Sequence, residues 1–236
     1  MAYHGLATAD VIVHDALVGD GILDWANPAA DLEFAGKRGG KPSPKQADIT
    51  LRLIEHARAG RRVLRLKGGD PFMFGRGGEE CEGLVAAGIR FRIVPGVSAG
   101  LGGIAYAGIP ATHRTANQAV TFLTGHDTTG DLPGAIDWEA LARAAPVLVM
   151  YMAVKHIAEI ATRLLAGGRA AGERVAVVAN ATLPSQEIVE TTLGEIAALA
   201  AGAPLPTPAI VVVGPVVDLR ERLDWYVAGL RDNPVG

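Results

Sequence analysis

The sequence is poor in cysteine, in aromatic residues and in long apolar runs. It has one cysteine, Cys81, and aromatic residues make up 5% of its 236 positions. A single thiol cannot form an intramolecular disulfide, so the disulfide-rich secreted class is excluded and a reducing compartment is favoured. The longest apolar runs, 147–154 and 209–217, are much shorter than the roughly 18 residues of a membrane-spanning helix. The first ten residues show no secretory signal, and we therefore expect a cytoplasmic protein with no membrane partner.

Common signatures of phosphate and metal sites are absent as well. The chain contains neither a Gly-x-x-x-x-Gly-Lys-Ser/Thr loop nor a Gly-x-Gly-x-x-Gly turn, so the usual nucleotide-phosphate motifs are excluded. Its cysteine, histidine and acidic residues do not show the spacing of metal ligands, and the sequence predicts no metal.

Charge is nearly balanced over the chain but uneven along it. Lys and Arg number 22 against 25 Asp and Glu, and the net charge of −3 argues against a nucleic-acid partner. Residues 36–78, however, hold eleven cations and three acids. Most of these cations suit a solvated helix face, but Lys37, Arg38 and Arg76 adjoin glycines in predicted loops, where binding residues concentrate. They indicate a polyanionic ligand.

Short β-branched runs alternate with alanine-rich helical stretches. The predicted strands are 10–14, 62–66, 90–94, 119–124, 147–151, 174–179 and 209–214, and the predicted helices lie near 44–59, 77–87, 98–107, 138–145, 154–167 and 194–201. This alternation predicts an α/β fold with mainly parallel sheets flanked by helices. The irregular segment 110–118 suggests two domains, 1–115 and 116–236, and the polar loop 125–137 is a candidate lid or rim.

The glycine-rich segment RLKGGDPFMFGRGGEE (65–80) follows a predicted strand, at the edge where open α/β sheets bind ligands. Asp70 would repel a phosphate, so a neutral or cationic ligand fits better, although a tight structural turn explains the motif almost equally well. Arg76 has the planar fork that grips carboxylates, or it pairs with Glu79 or Glu80 across one helical turn.

The nine stretches that follow, taken in order, resemble the tetrapyrrole methylase family, and within it the branch that methylates uroporphyrinogen III. They are ADVIVHDALV (9–18), GKRGGK (36–41), RLKGGDPFMFGRGGEE (65–80), VPGVSA (94–99), AYAGIPATHR (105–114), TGH (124–126), LVMYM (148–152), VAVVANAT (175–182) and PAIVVVGPVV (208–217). The resemblance covers nearly the whole chain. It implies two α/β domains with S-adenosylmethionine in the cleft between them, a small-molecule tetrapyrrole substrate and a homodimer.

The resemblance also implies roles for individual residues. Cofactor contacts fall on Gly68, Gly69, Asp70, Met73, Ser98, Ala99, Met152, Ala181 and Ala209. Catalytic roles fall on Asp15, Lys37 and Arg76, and substrate binding on Arg38, Glu79, His113 and Arg114. The implied reaction is methylation at C-2 and C-7 to give precorrin-2, for sirohaem or cobalamin synthesis, with Asp15 as the candidate base.

The chain departs from the family pattern at its start. Family members begin with an apolar strand and a Gly-x-Gly-Pro-Gly-Asp-Pro loop, whereas this sequence begins inside the first helix, at MAYHGLATAD. We therefore expect a first sheet without its first strand, in a truncated or mis-started enzyme or in a non-catalytic copy. A methylase acting on a later precorrin is the alternative within the family.

Overall fold

Helices and strands alternate along the chain, which confirms the α/β class. The computed structural model describes residues 1–36 and 46–226, and the chain divides into two units, Met1–Ser98 and Ala99–Gly236. The boundary predicted near residue 115 lies inside the second unit, and the two-domain division at that point stays a prediction.

The first unit contains a small parallel sheet. Its elements are α1 (Ala2–Thr8), β1 (Val11–His14), α2 (Asp20–Leu23), β2 (Asp31–Phe34), α3 (Gln46–Arg58), β3 (Val63–Leu66) and α4 (Gly77–Ala86). The strand order is β2-β1-β3, and β1 pairs in parallel with both neighbours.

The middle strand of this sheet is covered on both faces. Successive residues of a strand point to opposite sides, and Val11, Ile12 and Val13 are all fully buried. Val11 and Val13 pack with Leu53 of α3, whereas Ile12 packs with Leu6 of α1. This explains why the run DVIVH is continuously apolar rather than alternating.

The strand predicted at 90–94 does not form. Residues 90–94 have no regular secondary structure, and the side chain of Phe91 is 45% exposed. A β-branched run becomes a strand only where a neighbouring strand pairs with it, and within the described residues the first sheet has only its three strands.

The second unit contains a larger, mixed sheet. Its elements are α5 (Ala99–Tyr106), β4 (Thr121–Thr124), α6 (Trp138–Ala144), β5 (Leu148–Tyr151), α7 (Ile157–Ala166), β6 (Arg174–Ala179), β7 (Glu187–Thr192), α8 (Ile196–Gly202), β8 (Ala209–Val213) and α9 (Arg220–Leu223), with 3-10 turns at Val154–His156 and Pro215–Leu219. The strand order is β4-β5-β8-β6-β7.

The expectation of mainly parallel sheets fails for this second sheet. Only β4 and β5 are parallel, because β6 and β7 form a hairpin-like pair and β8 inserts antiparallel between β5 and β6. One face is covered by α6, α7 and α8, whose Trp138, Ile160 and Ile196 join the core. Helix α5 packs on β5 and β8.

Within the described ranges, no helix has both the length and the apolar character needed to cross a bilayer.

Candidate active site

Loops of the first unit meet at the carboxyl edge of its parallel sheet. Asp15 directly follows β1, and Lys67 directly follows β3. The turn after β1 lies against the loop after β3, because a Cβ atom on Gly68 would stand 2.7 Å from the carbonyl oxygen of Leu17. Only glycine permits this approach, so the glycine turn and the turn carrying Asp15 are packed together.

Asp70 joins two loops through its carboxylate. Its Oδ1 accepts a hydrogen bond from the Phe72 amide at 2.9 Å, and its Oδ2 accepts one from the Gly96 amide at 3.0 Å. The amide of Met73 donates to the Asp70 carbonyl at 3.3 Å. Asp70 therefore stabilises a tight structural turn, which is one of the two explanations that the sequence left open. A ligand role for Asp70 would be additional.

The predicted contacts Gly68, Gly69, Asp70 and Met73 thus lie on one loop that is bonded to the segment before Ser98. Ser98 itself is only 5% exposed, and Gly69 has a φ of +73° that glycine adopts without strain. The structure brings these five positions into adjacent loops, and their contact with a cofactor stays a prediction.

Residues 96–100 also match the Gly-x-Ser-x-Gly pattern of hydrolase nucleophile elbows, a match that sequence reasoning missed. Such an elbow needs a strand before the serine, but residues 90–94 form none, and Ser98 is buried. Acyl transfer therefore receives no support.

Arg76 and Glu79 form an exposed ion pair. Arg76 precedes α4 in the left-handed region, at a φ of +58°, and its Nε lies 3.3 Å from Glu79 Oε1. Both side chains are about half exposed, at 53% and 54%. The pairing considered as the alternative role of Arg76 is thus present, and the substrate roles of both residues stay predictions.

Lys37 and Arg38, the other basic residues assigned to the site, lie outside the described residues. Strand β2 ends at Phe34 and is parallel to β1, so the chain leaves β2 at the same edge of the sheet as Asp15. The described residues stop at Gly36, two positions later.

Sequence reasoning missed a buried group of charges beside the glycine turn. Glu80 is 4% exposed, and its Oε1 accepts hydrogen bonds from Gln46 Nε2 at 2.7 Å and Arg65 Nε at 3.1 Å. The Lys67 ammonium lies 3.6 Å from the same oxygen. Burial lowers the pKa of Lys67 and the charge of Arg65 lowers it further, while Glu80 and Asp15 act in the opposite direction. Two cations at alternate positions of a predicted strand, Arg65 and Lys67, with an acid at position 80 were the signal available in the sequence.

In the second unit, strand register places three predicted cofactor positions, Met152, Ala181 and Ala209, at one edge of the sheet. Tyr151 at the end of β5 pairs with Ile210, and Ala179 at the end of β6 pairs with Ala209. Met152 and Ala181 follow these two strands, so the carboxyl ends of β5 and β6 and the start of β8 coincide.

Helix α5 is fixed to this edge by close contacts. The Gly100 amide donates to the Tyr151 hydroxyl at 2.8 Å, and a Cβ on Gly100 would stand 2.3 Å from that hydroxyl oxygen. A Cβ on Gly103 would lie 3.1 Å from the Cβ of Ala181. Ala99 and Ala181 therefore lie together at the first turns of α5, and Met152 directly follows the tyrosine that is bonded to this helix.

The backbone at this edge is strained in three places. Met152, Asn180 and Thr182 have φ values of +54°, +48° and +72°, which side-chain-bearing residues adopt rarely. Such strain concentrates at functional sites, because the surrounding structure must hold it in place. The three residues follow β5 and β6, where the cofactor positions lie.

The turn with His113 and Arg114 is organised by a buried amide. Asn117 is 6% exposed, accepts from the His113 amide at 2.9 Å and donates to the carbonyls of Ala111 and Ala119. His113 and Arg114 are exposed, and the His113 ring contacts Thr115. Their substrate role stays a prediction.

The predicted lid or rim at 125–137 has no helix or strand but is well bonded. Asp127 Oδ1 accepts from the amides of Thr129, Gly130 and Asp131, and the Thr129 hydroxyl and amide hold the pKa of Asp127 below its usual value. The Lys155 ammonium donates to the Gly130 carbonyl at 2.7 Å.

Comparison with known proteins agrees with this geometry. The family of Tetrapyrrole (Corrin/Porphyrin) Methylases matches residues 1–197. A uroporphyrinogen-III C-methyltransferase from Sinorhizobium sp is 63% identical over 96% of this chain and 81% of its own length. A siroheme synthase from Actinobacillus pleuropneumoniae is 46% identical over 92% of this chain, which spans only 44% of that relative.

A solved structure supports the same assignment. The uroporphyrin-III C-methyl transferase from Thermus thermophilus, complexed with S-adenyl homocysteine, superposes with a TM-score of 0.79 at 35% identity, over 92% of this chain and 90% of that one. The family match covers more than half of the sequence, and the fold agrees with it. The chain therefore belongs to the tetrapyrrole methylase family.

Proposed function

We propose that this chain transfers methyl groups from S-adenosylmethionine to C-2 and C-7 of uroporphyrinogen III and so forms precorrin-2, for sirohaem or cobalamin synthesis. The observation that carries the proposal is the 63% identity, over 96% of the chain, to a uroporphyrinogen-III C-methyltransferase. Methylation of a tetrapyrrole follows from the family, and the positions of the methyl groups belong to the proposal.

The residues present suit S-adenosylmethionine, which supplies an electrophilic methyl group on a sulfonium cation. In the first unit, Asp70 offers carboxylate oxygens with lone pairs beyond the two backbone hydrogen bonds that they accept. In the second unit, Met152 exposes 41% of its surface beside small residues. The proposed contacts are Gly68, Gly69, Asp70, Met73, Ser98, Ala99, Met152, Ala181 and Ala209.

Basic residues would bind the substrate. Uroporphyrinogen III carries eight carboxylates, and the guanidinium of Arg76 is half exposed and, within the described ranges, is paired only with Glu79 at the surface. A surface ion pair of this kind is weak, so Arg76 can exchange Glu79 for a substrate carboxylate. We assign the same task to Arg114, Arg38 and Lys37, with His113 and Glu79 completing the polar contacts.

Asp15 is the proposed base. Addition of a methyl group to a pyrrole carbon leaves a cation, which becomes neutral when it loses a proton, and a carboxylate at the site can accept that proton. Asp15 is half-buried at the end of β1, and one of its oxygens accepts from the Leu17 amide at 3.0 Å. Among the residues that the structure describes, none bonds to the second oxygen, which we assign to the substrate or to a cation.

We further propose that the protein acts as a homodimer in the cytoplasm. An exposed aromatic group supports the assembly, because Trp225 is 49% exposed while its ring lies 5.0 Å from that of Tyr106. Contiguous exposed apolar patches mark interaction surfaces, and we assign Trp225 to such a patch as part of the proposal. The single cysteine supports a reducing compartment.

Anaerobic incubation with uroporphyrinogen III and methyl-labelled S-adenosylmethionine tests the proposed activity. The expected result is incorporation of two labelled methyl groups per tetrapyrrole, with a large loss in Asp15→Asn, which keeps the size of the side chain. Transfer to a later precorrin but not to uroporphyrinogen III would contradict the substrate. No transfer to either, by a folded protein that binds S-adenosylhomocysteine, would contradict the enzymatic function.

A further inference from the structure

Four charged side chains alternate in sign at the carboxyl edge of the first sheet, and we call them the charge row. Arg65 and Lys67, at the end of β3, both face Glu80 of α4, at 3.1 Å and 3.6 Å from its Oε1. His14 at the end of β1 pairs with Leu66 at the end of β3, so Asp15 and Lys67, the next residue after each strand, leave the sheet side by side. The charge of Asp15 acts on Lys67 with the opposite sign to that of Arg65. The order is therefore Arg65, Glu80, Lys67 and Asp15.

Lys67 is held firmly but not fully bonded. Its side chain is 10% exposed, and its Cε packs over Gly75, where an added Cβ would lie 3.3 Å away. The 3.6 Å separation from Glu80 exceeds the roughly 3.2 Å limit of a good N–H···O hydrogen bond. Glu80 thus holds the ammonium by charge and leaves N–H donors for a further acceptor.

The turn that carries Asp15 rests on the residue next to Lys67. Leu17 donates its amide to Asp15 Oδ1, and the carbonyl of Leu17 lies against Gly68. The hydrogen bond from Leu17 uses only one of the two carboxylate oxygens of Asp15. Among the described residues the ion pair of Lys67 is with Glu80, so its ammonium acts on the neighbouring Asp15 carboxylate through charge rather than through a direct hydrogen bond.

We propose that Lys67 is a positioning residue, whose buried ammonium, anchored by Glu80, holds the Asp15 carboxylate in the orientation that accepts the substrate proton. The inference rests on the proposed methylation, in which Asp15 is the base. Lys67 acts through Asp15 and touches neither substrate nor cofactor.

This role gives the reaction an alkaline limit. Burial and Arg65 set the pKa of Lys67 below the ordinary lysine value of 10.5, against the opposing charges of Glu80 and Asp15. As pH rises through that lowered pKa, the ammonium becomes neutral and Asp15 loses its partner. The kcat should therefore begin to fall at a lower pH than it would if it depended on an exposed lysine.

Three variants test the proposal through the pH profile of kcat. Lys67→Met should lower kcat about ten- to hundred-fold, as misplacement of a reacting group does, while KM for uroporphyrinogen III changes less than about two-fold. Lys67→Arg should restore most of kcat and move the alkaline limb to higher pH, because a guanidinium keeps its proton. Gln46→Leu is the matched control, since it removes an uncharged partner of Glu80 and should not change the alkaline pH at which kcat falls.

A second measurement does not depend on turnover. Titration of the Lys67 ε-carbon by NMR should show a lower midpoint in Asp15→Asn than in the unaltered protein, because the charge of Asp15 raises the pKa of Lys67. An unchanged midpoint would overturn the pairing even if methyl transfer occurs. If Lys67→Arg is active and its kcat falls at the same alkaline pH as that of the unaltered protein, the positioning role is wrong. If no methyl transfer occurs but the NMR midpoint of Lys67 shifts in Asp15→Asn, the proposed function is wrong and the interaction between Lys67 and Asp15 is still supported.

Discussion

Asp70 shows how one side chain supports two loops near a candidate ligand site. We expect Asp70→Ala to lower the free energy of unfolding by about 1–3 kcal/mol, because the amides of Phe72 and Gly96 lose their acceptor. The affinity for S-adenosylhomocysteine should fall as well, because the glycine turn is no longer tied to the segment before Ser98. Urea unfolding and calorimetry measure the two effects.

Asp70→Asn is the matched variant for this position, because its amide keeps one oxygen acceptor and should recover part of the stability. Calorimetry that shows full affinity in a destabilised Asp70→Ala protein would reduce Asp70 to a structural residue. Unchanged stability would show that neither backbone hydrogen bond matters.

Arg76 tests whether an exposed ion pair serves the substrate. We expect Arg76→Leu to lower kcat/KM for uroporphyrinogen III at least ten-fold, because the substrate carries carboxylates that the guanidinium binds. The affinity for S-adenosylmethionine should stay nearly intact, because its reacting sulfonium is cationic and does not attract a guanidinium. Stability should change by less than about 1 kcal/mol, since the pair with Glu79 is half exposed.

Arg163→Leu is the control for Arg76, because Arg163 forms a similarly exposed pair with Glu159, at 46% and 50% exposure, on helix α7. Equal losses of turnover in both variants would mean that Arg76 has no special role. A matching loss of cofactor affinity in Arg76→Leu would point to a general disturbance of the loop.

At the level of elements, an ion pair clamps β1 to β3 where both strands begin. Arg62 donates to both carboxylate oxygens of Asp10, through its backbone amide at 2.8 Å and its Nη2 at 2.7 Å. These contacts lower the pKa of Asp10 from 3.8 to about 2. The folded state therefore favours ionised Asp10, and this contribution to stability is present above pH 3.8 and is lost as pH falls toward about 2.

We expect the difference in urea midpoint between the unaltered protein and Asp10→Asn to shrink as the pH is lowered from about 5 to about 2. The difference is the informative quantity, because other carboxylates titrate equally in both proteins. A difference that stays constant with pH would contradict the clamp.

The contact between α5 and β5 leaves no space for a side chain at Gly100. We expect Gly100→Ala to destabilise the protein by about 1–3 kcal/mol, since its Cβ would stand 2.3 Å from the Tyr151 hydroxyl and must displace it. Gly78→Ala, in the first turn of α4, is the matched control: nothing lies within 4 Å of its Cβ, so it should be neutral or stabilising. Thermal unfolding of both variants checks this, and equal melting temperatures would contradict the close packing.

Element positions were largely predictable because burial leaves a local pattern. The runs of β1, β5, β6 and β8 are continuously apolar, and each forms a strand close to its predicted bounds. The edge strands β2 and β7 were missed, because their exposed polar residues carry little hydrophobic signal. The strand predicted at 90–94 fails for the opposite reason, since an apolar run needs a neighbour that local sequence does not specify.

For the whole molecule, motifs predicted which loops converge at the sheet edges better than they predicted how those loops are bonded. Glycine-rich and small-residue segments correctly marked the sheet edges where loops converge, because glycines occur where backbones approach closely. The pairing of Asp70 with Gly96 and the burial of Lys67 against Glu80 were not predictable, since they join residues distant in sequence. The location of the cofactor between two domains stays a prediction.

The positions of the transferred methyl groups decide whether this chain is a uroporphyrinogen III methylase. The unaltered protein should be incubated anaerobically with uroporphyrinogen III and S-adenosylmethionine carrying a ¹³C-methyl group, and the product examined by NMR. We expect two labelled methyl signals, at C-2 and C-7. Label on other carbons, or no label in a protein that binds S-adenosylhomocysteine, would contradict it.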